Sequence, residues 1–302
     1  MSSVSLGRAR HSERRLAVAM ISPTVLIMVL VAGFPIAYAV WLSLHEYSVQ
    51  TPGLSRWAEP FGLGNYLAAF GSAEFWAALR TTLVFTIISV FLELVLGMAM
   101  ALIMNAFARG KAVLRAVVLV PWSVLTVVTA IMWRSIFDPS LGFVNTVLGA
   151  VGLPDDTVWL GQTPNALIVM IIADVWKTAP FMALLLLAGL QSISKEVYEA
   201  ASMDGSNAWQ TFWRITLPLL RPAILVALIF RTLDALRIFD LPYVLTKGAF
   251  DTNTLSLLSF QELQQNGIIG LGSALAVITF IVVMAVSIVY IRLMRPGQEA
   301  GR

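Results

Sequence analysis

Glu199-Ala200-Ala201-Ser202-Met203-Asp204-Gly205, followed by Ile215, Leu217 and Pro218, is a small-residue, partly polar stretch in a chain that is otherwise mostly lipid-soluble. Of 302 residues, 58% are hydrophobic and only 12% are charged, and the mean hydropathy is +0.82. Such a composition, with long uncharged runs, predicts an all-α polytopic membrane protein. Against that background, a polar segment from Gln191 to Leu217 stands out as a candidate surface for something outside the membrane.

Six apolar runs flank this segment. The first, Leu16 to Leu44, follows Arg8, Arg10, Arg14 and Arg15. It is too long for a cleaved signal peptide, and no small-residue cleavage site follows its first apolar positions. At 1.5 Å per residue it extends about 43 Å, enough to span a bilayer with tilt or with a kink at Pro35. Five further spans are predicted over 78–106, 113–133, 165–190, 222–245 and 271–294. Six spans place both termini on one side. Thirteen Lys or Arg residues then fall on that face: Arg8, Arg10, Arg14, Arg15, Arg109, Lys111, Arg115, Lys195, Arg214, Arg221, Arg292, Arg295 and Arg302. Four fall on the other: Arg56, Arg80, Arg134 and Lys247. The asymmetry predicts cytoplasmic termini and a cytoplasmic 191–217 loop. Trp57, Tyr66 and Trp76 suit the outer interface, and Asp138-Pro139-Ser140-Leu141-Gly142 reads as a turn.

The chain divides by this reading into an N-terminal tail, first span and first outer loop (1–77), a core transmembrane domain (78–292) and the loop at 191–217, all within one integral-membrane unit. No internal repeat of the kind common in secondary transporters is visible. There is no cysteine, so neither disulfides nor thiolate metal sites are available. The two histidines, His11 and His45, lie outside the interiors of the apolar runs. That excludes an intramembrane serine–histidine protease using Ser273, because no histidine lies in any span to activate it. It also excludes a metalloprotease, because His45-Glu46 lacks the second histidine at the required spacing.

The loop has its own local chemistry. Ser194 is placed to cap a helix over 195–203, with Glu196 in its first turn favoured by the helix dipole. Ala200 and Ala201 keep one face thin enough for a partner to approach. Gly205 permits the positive φ that ends a helix, and Ser206 or Asn207 can cap the next. Trp209, Phe212, Trp213 and Ile215 then form an apolar stripe, and Pro218 and Pro222 mark the start of the fifth span. On the residues alone two readings stand: an amphipathic elbow lying on the inner leaflet, or a docking element for a soluble partner.

The spacing Glu199-Ala200-Ala201, three residues, Gly205, nine residues, Ile215, one residue, Leu217-Pro218 resembles the EAA loop of bacterial ABC importer permeases. The similarity extends along the chain. Gly62-Leu63-Gly64-Asn65-Tyr66, Leu119-Val120-Pro121-Trp122, Trp133-Arg134 with Phe137 and Gly142, and the run from Phe230 through Asp234, Arg237 and Asp240 to Thr246 resemble segments of the carbohydrate-importer branch. That branch takes up maltose, trehalose, glycerol 3-phosphate and related solutes. The chain departs from it at Lys247-Gly248-Ala249-Phe250, where the family commonly has several glycines and a proline. It also lacks the large outer domain of the enterobacterial maltose permease.

The resemblance implies a type I ABC importer fold and a division of labour. A second, similar permease would complete the translocation path. Two ATP-binding subunits would sit beneath, and a solute-binding protein would deliver substrate. Glu199, Ala200, Ala201, Asp204 and Gly205 would couple to an ATPase subunit. A disaccharide such as trehalose or maltose is the expected cargo; a non-sugar solute such as glycerol 3-phosphate, or ion-coupled secondary transport, is the alternative. The chain's own residues agree on one point: no G-x-x-x-x-G-K-[ST] phosphate loop is present, so ATP and its Mg2+ belong on partner subunits and no cofactor is expected here.

Charges inside spans are costly and usually paired or functional. Arg231, Asp234, Arg237 and Asp240 recur every third residue with alternating sign, which predicts a ladder along one helix. They either neutralise one another and fix packing, or in part face the path and bind sugar hydroxyls. Asp174, Trp176 and Lys177 form a second group, where Pro180 can loosen the helix and expose carbonyls. A tryptophan beside a carboxylate suits stacking on a sugar, or is an ordinary packed pair. Glu93 and Asn105 read as interhelical hydrogen-bond partners.

Overall fold

The computed structural model describes residues 3–49, 61–106 and 111–294; Arg56, Trp57, Arg109, Arg295 and Arg302 lie outside them. Among the described residues five helices are long and apolar enough to cross a membrane, or six if one sharply bent pair counts as a single span. The first span is built of α1 (Ser3–Met28), a π-helical turn (Val29–Gly33) and α2 (Phe34–Ser43). Pro35 has no N–H to return to the preceding turn. The helix widens just before it, with the Phe34 N–H reaching back to the Val29 carbonyl. The bend expected at Pro35 is thus absorbed by a π turn. None of this span's apolar window is buried within the chain, and α2 lies against the last helix.

A short α3 (Gly64–Gly71) leads into α4 (Ala73–Ala106). The third span departs from the straight helix expected over 113–133. It consists of α5 (Lys111–Ser123) and α6 (Thr126–Ile136), bent by 84° between Ser123 and Thr126. Pro121 in the last turn of α5 cannot donate to the turn before it, and Leu125 adopts extended backbone (φ −58°, ψ 137°), so the helix breaks there. A short α7 (Phe143–Ala150) precedes α8 (Asn165–Gln191), the fourth span.

The helices α4 and α8 pack along each other and carry most of the core. Contact is close because Gly97 has no side chain: a Cβ there would stand 2.7 Å from Met182 Cγ and 3.1 Å from the Ala183 backbone nitrogen. Small residues at such crossings let backbones approach and gain dispersion energy, the main attraction between helices in lipid. Ala101, Ala183, Leu186, Leu187 and Leu220 form one apolar cluster, and Phe85, Ala130, Met170, Ala173 and Leu241 form a second.

The segment after α9 (Lys195–Met203) also differs from expectation. It runs from α10 (Ala208–Thr211) through a π turn (Phe212–Thr216) into α11 (Leu217–Ala235). Residues Ala208–Ala235 make one continuous 28-residue span. Pro218 and Pro222 are absorbed within it, the π turn accommodating the missing donors, instead of separating an elbow from a span that starts at Pro222. The span also stops ten residues early. It ends at Ala235, and a turn precedes α12 (Asp240–Leu245), α13 (Leu255–Phe260) and a π turn (Gln261–Gln265), before α14 (Ile269–Met294). Leu241, Leu245, Leu255, Leu257 and Leu258 are buried, so this broken segment is part of the packed body.

Candidate functional site

Three helices meet at one guanidinium. Arg231 of α11 donates from Nε to Glu93 Oε2 at 2.5 Å, and from Nη2 to Glu93 Oε1 at 2.8 Å and Asp174 Oδ2 at 3.1 Å. Its Nη1 donates to Asp234. Glu93 comes from the middle of α4 and Asp174 from the middle of α8. Thr178, one turn after Asp174, shares its hydroxyl proton between Glu93 Oε1 (2.7 Å) and the Asp174 carbonyl (2.6 Å). Arg231 is 3% exposed and Glu93 0%, whereas 69% of the Asp234 side chain is open. The two charged groups that the sequence presents separately, around Asp174 and around Arg231, are therefore one network. Its inner members are fixed packing, and its outer edge faces open space.

The alternating-sign ladder does not form as expected. Because α11 ends at Ala235, only Arg231 and Asp234 pair along a helix. Arg237 sits on the turn, its Nε donating to the Leu233 carbonyl at 3.0 Å, and Asp240 opens α12.

Two helix breaks face this network, and side chains cap both. Lys177 Nζ donates to the Val124 carbonyl, just past the end of α5, and, at 3.4 Å, to that of Trp122 in its last turn. Thr254 Oγ1 donates to the Ile238 carbonyl at 2.9 Å. Besides the carbonyl that Pro180 leaves without its intrahelical donor within α8, the break in the third span opens carbonyls of its own, and a fourth-span lysine covers them. Irregular backbone at membrane depth is tolerated where it lines a cavity or is buried in protein, and here it does line one. A polar cavity of about 150 Å³ is walled by Thr126, Asp174, Lys177, Asp234, Arg237 and Asp240, with Phe239 at its edge.

Two predicted path residues stand outside this wall. Arg231 is buried beneath it. Trp176 stands edge-on to Trp133 with ring centroids 5.9 Å apart, because two residues along a helix turn a side chain roughly 200° away from Asp174. Trp176 is thus a packed partner and does not share a wall with the carboxylate. Conversely, Thr126, Thr178 and an aromatic group went unread. Phe239, Tyr243 and Phe260 have centroids 4.9–5.5 Å apart, and Tyr243 is 36% exposed. The i, i+4 spacing of Phe239 and Tyr243 was the available signal, hidden by the assumption of an unbroken span.

At the other end of the Ala208–Ala235 helix, the polar loop is built by two local motifs. Gly205 has φ +78°. The Ser206 N–H donates to the Ala201 carbonyl at 3.0 Å, and the Gly205 N–H to the Ser202 carbonyl at 3.1 Å; together they form a Schellman close to α9. Asn207 and Gln210 then bond reciprocally, backbone to side chain, at 2.9 and 3.1 Å, a capping box for the next helix. Ser194 occupies its expected N-cap position without a side-chain capping bond. Glu199, Ala200, Asp204 and Gly205 are exposed, but Ala201 is buried within the chain. The thin face is therefore Ala200 alone, since Ala201 lies on the inward side of α9 where Tyr198 accepts a hydrogen bond from Thr216 Oγ1 at 3.3 Å.

Residues 93–297 match the family described as binding-protein-dependent transport system inner membrane component. The chain is 41% identical over 293 residues to the trehalose transport system permease protein SugA of Mycobacterium tuberculosis, covering 97% of this chain and 93% of that one. It is 42% identical over 291 residues to the trehalose/maltose transport system permease protein MalF of Thermococcus litoralis, covering 95% and 96%. Among solved structures, a bacterial alginate ABC transporter in complex with an alginate pentasaccharide-bound periplasmic protein contains a chain of the same fold. Its TM-score is 0.81 at 24% identity, over 94% of this chain and 95% of that one.

Proposed function

This chain belongs to the family of binding-protein-dependent transport system inner membrane components, ABC permeases that cross the membrane several times, and from that membership we propose that it forms the path of a disaccharide importer, with trehalose or maltose as cargo. Supporting the cargo assignment are the names of the two relatives and a cavity whose carboxylates, cations and aromatic edge suit a polyhydroxyl solute. Lys and Arg placement puts both termini and the 191–217 loop in the cytoplasm. In this reading a second permease closes the path, two subunits hold ATP and Mg2+, and a solute-binding protein supplies the outer face.

The observation that carries the mechanism is the continuity of the helix from Ala208 to Ala235. At 1.5 Å per residue it is about 42 Å long. Its first residues are fixed to α9 by the Gly205 close and the Asn207 cap, and its last turn holds Arg231 and Asp234. When ATP draws the partner subunits together, a force on α9 through Glu199, Ala200 and Asp204 tilts this lever. Its far end shifts Arg231 against Glu93 of α4 and Asp174 of α8. The ATP-driven step thereby reaches the cavity wall through one continuous helical span.

The complete importer reconstituted in proteoliposomes tests the proposal. Labelled trehalose or maltose should accumulate only with ATP and the binding protein. Accumulation of glycerol 3-phosphate with neither disaccharide would overturn the cargo, and uptake driven by an ion gradient without ATP would overturn the coupling. Glu199→Lys should reduce the ATPase subunit recovered with the permease several-fold, and full recovery would remove α9 from the contact.

A further inference from the structure

Arg237 borders two cavities. One is the 150 Å³ polar cavity already described. The other, of about 340 Å³, lies between α13 and α14 and is lined by Ser256, Ser259, Thr279 and Phe280, with Arg237 on its wall. Resting on the importer reading above, we propose that the second cavity is a second sugar subsite, so that the path holds a solute two rings long with Arg237 at the junction between the rings.

Size is the first argument. Pockets that enclose a small-molecule ligand run to about 300–1,000 Å³. The polar cavity alone is too small by about half, the neighbouring cavity lies at the lower edge of that range, and the two together fall well inside it.

Chemistry is the second. The stem of Arg237 is held by the Nε bond to Leu233, and among the described residues no carboxylate pairs with this guanidinium. Its two terminal nitrogens are therefore pre-positioned donors on an exposed turn. Asp234 and Asp240, on the polar side, offer acceptors. On the other side Ser259 Oγ donates to the Gly272 carbonyl and Thr279 Oγ1 to that of Leu275, both at 2.8 Å. Their oxygens remain free to accept from a ligand hydroxyl. The Ser256 hydroxyl has no hydrogen-bond partner among the described residues and can do either.

Apolar surface completes the site. Phe280 is 46% exposed and presents a ring to the second cavity, while Phe239 edges the first and packs on Phe260, the residue after Ser259. Each cavity thus has an aromatic edge for the apolar face of a sugar ring and several polar atoms for its rim, the usual make-up of a ligand pocket. Around the polar cavity Asp174, Asp234 and Asp240 outnumber Lys177 and Arg237, a balance that favours an uncharged disaccharide over an anionic one.

Because the chain has no cysteine, single thiols report on the two cavities without background in this subunit. Ser256→Cys and Thr126→Cys should each be labelled by a small maleimide in the reconstituted complete importer. Saturating trehalose, with binding protein and ATP, should slow both rates several-fold. In parallel, Phe280→Ala and the volume-preserving Thr279→Val with Ser256→Ala should lower trehalose uptake by about tenfold, as expected when one ring loses its stacking and hydroxyl contacts. Co-purification of the ATPase subunit should be unchanged. Protection at position 126 but not at 256, or wild-type uptake in the α13 and α14 variants while Asp234→Asn abolishes it, would overturn the second subsite and leave the importer reading standing. Protection at neither position, with Asp234→Asn at wild-type uptake, would overturn the polar cavity as a sugar site as well.

Discussion

The 191–217 loop and the polar cavity sit at opposite ends of one helix, and the chain encodes them in opposite ways. Everything that shapes the loop lies between Ser194 and Thr216: a glycine at φ +78°, a close onto Ala201, and an asparagine–glutamine box. The cavity draws on residues from Glu93 to Thr254, and no two of its ion-paired partners except Arg231 and Asp234 are near in sequence. A locally encoded site should fail locally when damaged. A site held by long-range pairing should bring the packing down with it.

The largest expected effect tests the second half of that contrast. Arg231→Ala leaves Glu93 and Asp174 buried without their cation, and breaking a buried pair this way typically costs about 3–5 kcal/mol. Membrane levels of the complex and its thermal unfolding midpoint should both fall sharply. Adding Glu93→Gln should restore part of the loss, because one stranded charge is removed. Normal stability in Arg231→Ala would mean the network serves the path and not the packing, and the contrast would dissolve.

Gly205→Val tests the first half. A Cβ at 205 would meet nothing within 4 Å, so the penalty is conformational: about 1–2 kcal/mol for a side chain held left-handed, and more for a β-branched one. The complex should assemble with an intact cavity, while ATP hydrolysis continues with reduced uptake per ATP. Gly205→Asn, which tolerates this backbone, should stay near wild type. If Val and Asn behaved alike, the positive φ would not be what couples the loop to the helix.

The same contrast explains what could be read from the chain. The glycine turn, the Asn207 cap, the Asp138 turn and most spans follow from neighbours within four residues, and they are where expected. What was not legible depended on partners far away. Pro121 alone does not say that the third span bends by 84°, because the freed Trp122 and Val124 carbonyls need Lys177, over fifty residues later, to be tolerable at that depth. Nor does the run Phe230–Thr246 show that it stops being helix at Ala235, since Thr254 satisfies the freed Ile238 carbonyl from another element. With both breaks unread, the sequence does not show that Phe239 edges the cavity while Trp176 turns away from it towards Trp133. Ala201 was misplaced for a related reason: which face of a short helix is buried is set by what it lies on.

The smallest expected effect comes from the Asp138 turn, encoded as locally as the 191–217 loop but leading into no long helix. The Asp138 carboxylate accepts from the Leu141 and Ser140 N–H groups, both at 2.9 Å. Those bonds, with a lesser contribution from nearby Arg134, hold its pKa below the usual carboxylate range. A depressed folded-state pKa stabilises the turn at all pH values above the unfolded one, near 3.9, and the contribution is lost only as pH falls through the folded value. Hydrogen exchange of the 138–142 segment should therefore show no pH dependence from this group between about pH 5 and pH 8, once intrinsic exchange rates are divided out. Asp138→Ala should speed exchange at Ser140 and Leu141 across that window and leave trehalose uptake within about twofold of wild type. A larger loss of uptake would mean that a turn made only from its own neighbours is nonetheless tied to the cavity, and that local encoding does not guarantee local failure.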